Sequence, residues 1–143
     1  MLLRMRAAIG LIPHRPPFLF IDEVSVIDGD EVQAVKRVGA GDALLGDAGL
    51  QGALLVEALA QTAACLMGAS NGGGAGHLGY LVAAQGWKFS GIVRPGETVE
   101  LAARRVSALG ALHRFEGVAR VDGRKIAAGT MTFAVRFDGV APG

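Results

Sequence analysis

The segment that most limits the fold is GALLVEALAQTAACLMG, residues 52–68, because it is apolar on nearly every side. Alanine and leucine dominate it, proline is absent and glycine occurs only at its ends, a composition that favours an α-helix. A helix that is apolar all round has to be buried. Glu57, Gln61 and Thr62 interrupt the segment, which is also short for a bilayer crossing. We therefore expect a core helix with a sheet wrapped around it.

The segments around this helix have the period-two alternation and the turn residues of β-strands. Strands are predicted at residues 18–27, 31–38, 80–89, 98–106, 113–121 and 125–137. The predicted turns lie at Asp28-Gly29-Asp30, Pro95-Gly96 and Asp122-Gly123. A short helix or coil precedes the strands, and the glycine-rich stretches 39–51 and 70–79 are predicted to be irregular. This order predicts one α+β domain, residues 1–143, with a single helix against an antiparallel sheet.

The charge balance excludes some classes of partner. The formal net charge is only +1, which argues against nucleic acid as the main partner. Residues 1–87 carry five Lys/Arg and eight Asp/Glu (net −3), and residues 88–143 carry nine and five (net +4). The basic second half suits an acidic protein or a phosphate, although arginine on strand exteriors is ordinary.

The number of cysteines and the N-terminal sequence indicate the cellular compartment of the protein. Cys65 is the single cysteine, which excludes an internal disulfide and a cysteine zinc cluster. No secretory signal is visible, because Pro13, His14 and Arg15 cut short the first apolar run. We expect a cytoplasmic protein without a membrane span.

Glu57 and Gln61 are the most informative polar residues of the helix. Four positions apart, they lie on one face, one above the other. A carboxylate in an apolar setting is costly unless it is paired, hydrogen-bonded or protonated. Glu57 therefore suits general acid catalysis, or it bonds to the backbone or to Gln61 and only fixes packing. The start of the helix, Gly52-Ala53, presents free N–H groups that can stabilise a developing oxyanion, or Gly52 simply begins the helix.

Four segments resemble, in order, the hotdog-fold β-hydroxyacyl-acyl carrier protein dehydratases. They are LIPHRPPFLFIDEV, GALLVEALAQTAA, WKFSGIVRPGETVEL and RFEGVARVDGRKIAAGTMTFAV, and the likeness covers roughly residues 10–137. The resemblance implies a hotdog fold, in which an antiparallel sheet wraps one long central helix. It also implies a homodimer or a trimer of dimers, with sites built across the subunit interface. The implied reaction eliminates water from a 3-hydroxyacyl thioester to give a trans-2-enoyl thioester.

The resemblance also implies roles for individual residues. Glu57 falls on the position of the family's catalytic glutamate, and Gly52 and Ala53 begin the helix that polarises the thioester carbonyl. Gln61 is assigned to substrate binding. Tyr80 falls where some members carry a tyrosine that gates the acyl tunnel. The equally strong alternative is an ordinary strand residue without that role. No metal or redox cofactor is implied, because the phosphopantetheine of acyl carrier protein (ACP) or coenzyme A carries the substrate.

The chain departs from the family at the catalytic histidine. The family has a Gly-His-Phe-Pro motif before the helix, and the matching stretch here, GDALLGDAGLQG, contains none of His, Phe or Pro. The histidines elsewhere in the chain are His14, His77 and His113. His77 in the glycine-rich loop and His113 on an exterior-looking strand are expected at the surface. His14 belongs to the opening motif, so we predict that His14 and Glu57 form the acid–base pair.

The missing motif keeps other functions open. Asp42 and Asp47 lie in the shortened stretch and are the next candidates for the base, with a solvated turn as the alternative. A hotdog thioesterase needs no histidine base, because a carboxylate can activate water there. A non-catalytic acyl-binding hotdog subunit would keep the tunnel without the chemistry.

Overall fold

One antiparallel sheet wraps a single long helix. The computed structural model describes residues 6–7, 12–13, 19–39, 52–70 and 77–137. Over these ranges the elements are β1 (Arg6–Ala7), β2 (Glu23–Asp28), β3 (Glu31–Arg37), α1 (Gly52–Ser70), β4 (His77–Phe89), β5 (Thr98–Leu109), β6 (Leu112–Val121) and β7 (Arg124–Phe137). The strands form one sheet in the order β1-β2-β3-β5-β6-β7-β4, and every neighbouring pair is antiparallel. The predicted α+β architecture is confirmed.

Helix α1 forms the centre of the core. Leu55, Leu59 and Leu66 are completely buried, and each contributes roughly 1.5–3 kcal/mol relative to an exposed side chain. The stretch Gly52–Ala69 has the length and hydropathy of a membrane span, but 61% of its residues are buried inside the fold. That burial is typical of a core helix, as the apolar pattern predicted.

The inner face of the sheet supplies the other half of the core. In β3, Val32 and Ala34 lie opposite Ala103 and Leu101 of β5, and all four side chains are buried. Polar residues alternate with them on the outer face, where Glu31 pairs with Arg104. This alternation is why the period-two pattern located the strands.

The two predicted hairpin turns are confirmed. Asp28-Gly29-Asp30 joins β2 to β3, and Gly29 has a φ of 60°. At the turn from β6 to β7, Asp122 and Gly123 have φ values of 50° and 77°. Positive φ at both central residues suits a two-residue hairpin, because its twist matches that of the strands.

Two local predictions were wrong in kind, and the strand predicted at 18–27 begins late, since β2 starts at Glu23. Residues 77–79, predicted as loop, begin β4, because His77 and Gly79 pair with Phe137 and Val135 at the end of β7. At the N-terminus, Arg6–Ala7 is not helix or coil but a short strand that pairs with β2. In both places a distant strand supplies the backbone partners, which overrides the local preference of the sequence.

Strand β4 lies at one edge of the sheet, next to β7. Its first half carries exposed apolar side chains, including Tyr80, Leu81 and Val82. The helix runs antiparallel to this strand: Gly79 contacts Met67 near the end of α1. At the other end of the strand, Phe89 contacts the start of the helix. β4 therefore borders the helix along most of its length.

Candidate active site

A cavity of about 180 Å³ lies between the helix and the edge strand β4. One helix face and the neighbouring strands line it with Glu57, Ala60, Gln61, Ala64, Gly79, Tyr80, Leu81 and Phe133. The helix residues are spaced at i, i+3, i+4 and i+7, so they form a single stripe along α1. The two alanines leave room beside Glu57 and Gln61, and the strand side is mainly apolar. The cavity therefore combines a carboxyl group with a surface that suits an acyl chain.

Glu57 and Gln61 belong to one hydrogen-bonded network. The Gln61 amide Nε2 donates to Glu57 Oε1 at 3.1 Å. The backbone N–H of Phe20 donates to Gln61 Oε1 at 2.8 Å. Glu57 is half-buried, while Gln61 is only 1% exposed. The predicted placement of both side chains on one helix face is confirmed, and the hydrogen bond between them is the contact that the packing alternative expects. The third member, Phe20, could not be predicted from its residue type, because it takes part through its backbone N–H.

The start of helix α1 lies beside an aromatic pair. A Cβ at Gly52 would come within 2.8 Å of the Phe89 ring, so a larger residue would displace that ring. The ring of Phe89 stacks on Trp87, with centroids 6.2 Å apart and planes 16° apart. Ala53 remains exposed at the first turn. The N-terminal N–H groups lie about 7–8 Å along the axis from Glu57 at 1.5 Å per residue.

Tyr80 lines the cavity but pairs opposite Ala134 in β7. Paired residues share a sheet face, and alternation along β7 sets Ala134 on the face away from the buried Phe133. The Tyr80 side chain is 48% exposed. Its predicted gating role stays a prediction.

His113 differs from the surface residue that we predicted. It lies opposite Phe133, whose side chain is buried, and is itself partly buried. Arg105 donates from Nη1 to His113 Nδ1 at 3.3 Å and holds Asp30 Oδ1 through Nη2 at 2.9 Å. Burial, and secondly the positive charge of Arg105, lower the pKa of His113 below its ordinary value. The imidazole is therefore neutral at pH 7 and accepts through Nδ1.

The remaining candidates for the base are His14, Asp42 and Asp47, which lie outside the described residues, and His77, which begins β4. Among the residues that the structure describes, no group of three or more His, Cys, Asp or Glu is arranged to hold a metal ion. The expected absence of a cofactor stays a prediction.

Comparison with known sequences gives a consistent family. The profile of the ApeP-like family, described as ApeP dehydratase, matches residues 7–137. The 3-hydroxyacyl-acyl-carrier-protein dehydratase FabZ of Streptococcus agalactiae is 34% identical over 129 residues, which cover 87% of this chain and 91% of that protein. FabZ of Granulibacter bethesdensis is 35% identical over 126 residues, covering 82% and 73%.

Solved structures share the fold at lower identity. The dehydratase heterocomplex ApeI:P from Xenorhabdus doucetiae superposes with a TM-score of 0.81 at 16% identity, covering 90% of both chains. A hypothetical thioesterase with coenzyme A from Streptococcus pneumoniae gives 0.66 at 13% identity, covering 80% and 85%. These likenesses confirm the predicted hotdog fold.

Proposed function

This chain belongs to the ApeP-like dehydratase family, and we propose that it removes water from 3-hydroxyacyl thioesters to give trans-2-enoyl thioesters. The observation that carries the proposal is the half-buried Glu57, which faces an otherwise mainly apolar cavity on the central helix. The FabZ relatives, named for the same elimination on acyl carrier protein, support it. The enzyme is thus a lyase, and we place it in the cytoplasm.

In the proposed reaction, His14 takes the α-proton and the electron pair of that C–H bond becomes the double bond between C2 and C3. Glu57 gives a proton to the β-hydroxyl group, so that the C3–O bond breaks and water leaves. Backbone N–H groups at Gly52 and Ala53 stabilise the charge on the thioester oxygen. The elimination is redox-neutral, so it needs no electron acceptor.

The choice of His14 as base is supported by what lies on either side of it. Ile12, two residues earlier, is buried in the core. Phe20, six residues later, is bonded to the amide that holds Glu57. The described residues on either side of His14 are therefore held in the core, and Phe20 is bonded to the amide that contacts Glu57.

The acyl group is proposed to arrive on the phosphopantetheine of acyl carrier protein or coenzyme A. Exposed Lys88, Arg124 and Lys125 lie near the β6–β7 turn, at the end of the sheet where the helix begins. Such a basic surface favours ACP, because an acidic protein is attracted to it.

We further propose that two copies form a dimer through β4, and that trimers of such dimers are the alternative. Over its 13 residues this edge strand carries exposed Tyr80, Leu81 and Val82. Proteins usually protect such an edge, because its backbone groups pair readily with another strand. Since β4 also lines the cavity, a second subunit there would help to close it.

Val82→Lys is expected to dissociate the dimer, because it introduces a charge where Val82 is 56% exposed on the edge strand. Light scattering after size exclusion should change from twice the 14.7 kDa of one chain to a single chain. Leu109→Lys is the matched control, because Leu109 is 81% exposed at the β5–β6 turn. If only Leu109→Lys dissociated the dimer, the interface would lie at the β5–β6 turn and not at β4.

The reaction itself is tested with crotonyl and longer trans-2-enoyl thioesters, which the enzyme is expected to hydrate in the reverse direction. Loss of the conjugated enoyl absorbance measures hydration, and a thiol-reactive dye measures release of free thiol in the same sample. We expect hydration without thiol release.

Two other outcomes would replace the proposal. Thiol release without hydration would indicate a hotdog thioesterase, which needs no histidine base. Binding of acyl thioesters without turnover would indicate a non-catalytic acyl-binding subunit, a reading that the missing Gly-His-Phe-Pro motif favours.

A further inference from the structure

We propose that Gln61 is a positioning residue, whose side-chain amide aligns the Glu57 carboxyl group by anchoring it to the backbone of Phe20. The inference rests on the proposed function, since alignment matters only if Glu57 acts on a substrate. It gives Gln61 a different task from the substrate contact that its helix position first indicated.

Both ends of the Gln61 amide are in use. Its Oε1 accepts from the Phe20 N–H at 2.8 Å, and its Nε2 donates to Glu57 Oε1 at 3.1 Å. The Phe20 N–H is only a donor, so it fixes which end of the amide carries the oxygen. A flipped amide would set Nε2 against that N–H and Oε1 against the carboxylate. The Gln61 amide therefore has one stable orientation in this network.

Burial separates the roles of the two side chains. Gln61 is 1% exposed, so little of its surface is available to a ligand. Glu57 is half-buried and reaches the same cavity. A substrate in the cavity would thus meet mainly the carboxyl group, which the Gln61 amide holds by a hydrogen bond. One carboxyl oxygen is engaged with Gln61, and this restricts the rotation of the glutamate side chain.

The contact also joins two distant parts of the chain. Phe20 and Gln61 are 41 residues apart, and Phe20 belongs to the opening motif that contains His14. Gln61 therefore ties the segment of the proposed base to the helix of the proposed acid. Displacements of about 1 Å between such groups can cost 10²-fold in rate.

Gln61→Met tests the proposal, because methionine has a similar shape and forms neither hydrogen bond. We expect kcat for enoyl-thioester hydration to fall about 10- to 100-fold, with KM changed by less than about threefold, since alignment is lost and binding is not. Thr62→Val is the matched control. Thr62 is also fully buried on α1, but its hydroxyl donates to Ala58 O at 2.8 Å, outside the network. This variant should keep the wild-type kcat.

Hydrogen exchange of the Phe20 amide, followed by NMR, gives a readout independent of turnover. Gln61→Met should speed this exchange at least about tenfold, because the amide loses its acceptor. Thr62→Val should leave it unchanged. If the wild-type protein hydrates no thioester, the proposed function fails, and the exchange data still show whether the network exists.

Gln61→Glu distinguishes the effects of the two Gln61 hydrogen bonds. It also replaces Gln61→Met as the test if the methionine variant does not fold. It keeps an acceptor for Phe20, so exchange of that amide should stay slow. It replaces the amide NH₂ donor with a second carboxyl group beside Glu57, so the alignment is lost and kcat should fall at least as far as in Gln61→Met. Wild-type kcat in either folded Gln61 variant, or a loss confined to KM, would overturn the proposal.

Discussion

Replacing Glu57 with glutamine is expected to lower kcat for enoyl-thioester hydration by about 10²- to 10⁴-fold, the usual contribution of a general acid or base. Glutamine has nearly the same shape and can still accept the Gln61 hydrogen bond, so the helix should fold as before. What it lacks is a group that can take the proton of water during hydration and return it to the β-hydroxyl group during elimination. The measurement is the initial rate with saturating thioester, together with a circular dichroism spectrum that verifies the fold.

Glu116→Gln is the matched control for this loss of a carboxylate. Glu116 is exposed on β6 and forms its ion pair with Arg104 at 3.1 Å, away from the cavity. Exposed ion pairs contribute only about 0–1 kcal/mol, so neither rate nor stability should change appreciably. If Glu57→Gln turned over as fast as this control, the helix carboxylate would be a packing residue and the proposed acid would be wrong.

Phe115→Ala is expected to lower the free energy of unfolding by about 3–5 kcal/mol, the range for truncating a buried phenylalanine. Phe115 is completely buried in β6 and meets Phe133 edge to face, with ring centroids 5.6 Å apart. Truncation leaves a cavity and removes this contact. The free energy of unfolding of a whole domain is only about 5–15 kcal/mol. The variant should therefore be marginally stable, as measured in a urea titration.

The control for this truncation is Leu109→Ala, at a side chain that is 81% exposed. Surface substitutions of this kind stay within about 0.5 kcal/mol. Both titrations need the same protein concentration, because any dimerisation couples stability to concentration. A cost below about 1 kcal/mol for Phe115→Ala would contradict the packing of β6 against β7 described above.

The fold was predictable wherever local pattern and final environment agree. Helix α1 is apolar all round and is buried all round, so its composition already implied the surrounding sheet. The turn at Asp122-Gly123 was predictable because few residues accept the positive φ that a tight hairpin requires.

The prediction of strand boundaries failed where pairing with a strand far away in the sequence determines them. The start of β4 at His77 depends on pairing with the end of β7, some sixty positions later in the chain. His113 was missed for a different reason: it continues the inward alternation of Phe115, Gly117 and Ala119 along β6, but its neighbour Arg114 indicated an exterior strand. The period-two pattern of β6 therefore already indicated that His113 faces inward.

In the candidate site, too, one contact was predictable from the sequence and another was not. The shared face of Glu57 and Gln61 follows from a spacing of four along a helix. The contact with Phe20 does not, because a backbone N–H is the same in every residue except proline and leaves no mark in the sequence. The hydrogen bond that fixes the amide was therefore visible only in three dimensions.

Trp87, the only tryptophan of the chain, also gives the protein a built-in optical label. Its indole covers Gly129, donates to Thr130 O at 3.2 Å and stacks on Phe89, the ring that touches Gly52. The tryptophan emission of the native protein thus comes from a single residue two contacts away from the helix N-terminus. Titrating acyl thioesters while recording tryptophan fluorescence would follow occupancy at that end of the helix directly, in unlabelled protein and without turnover.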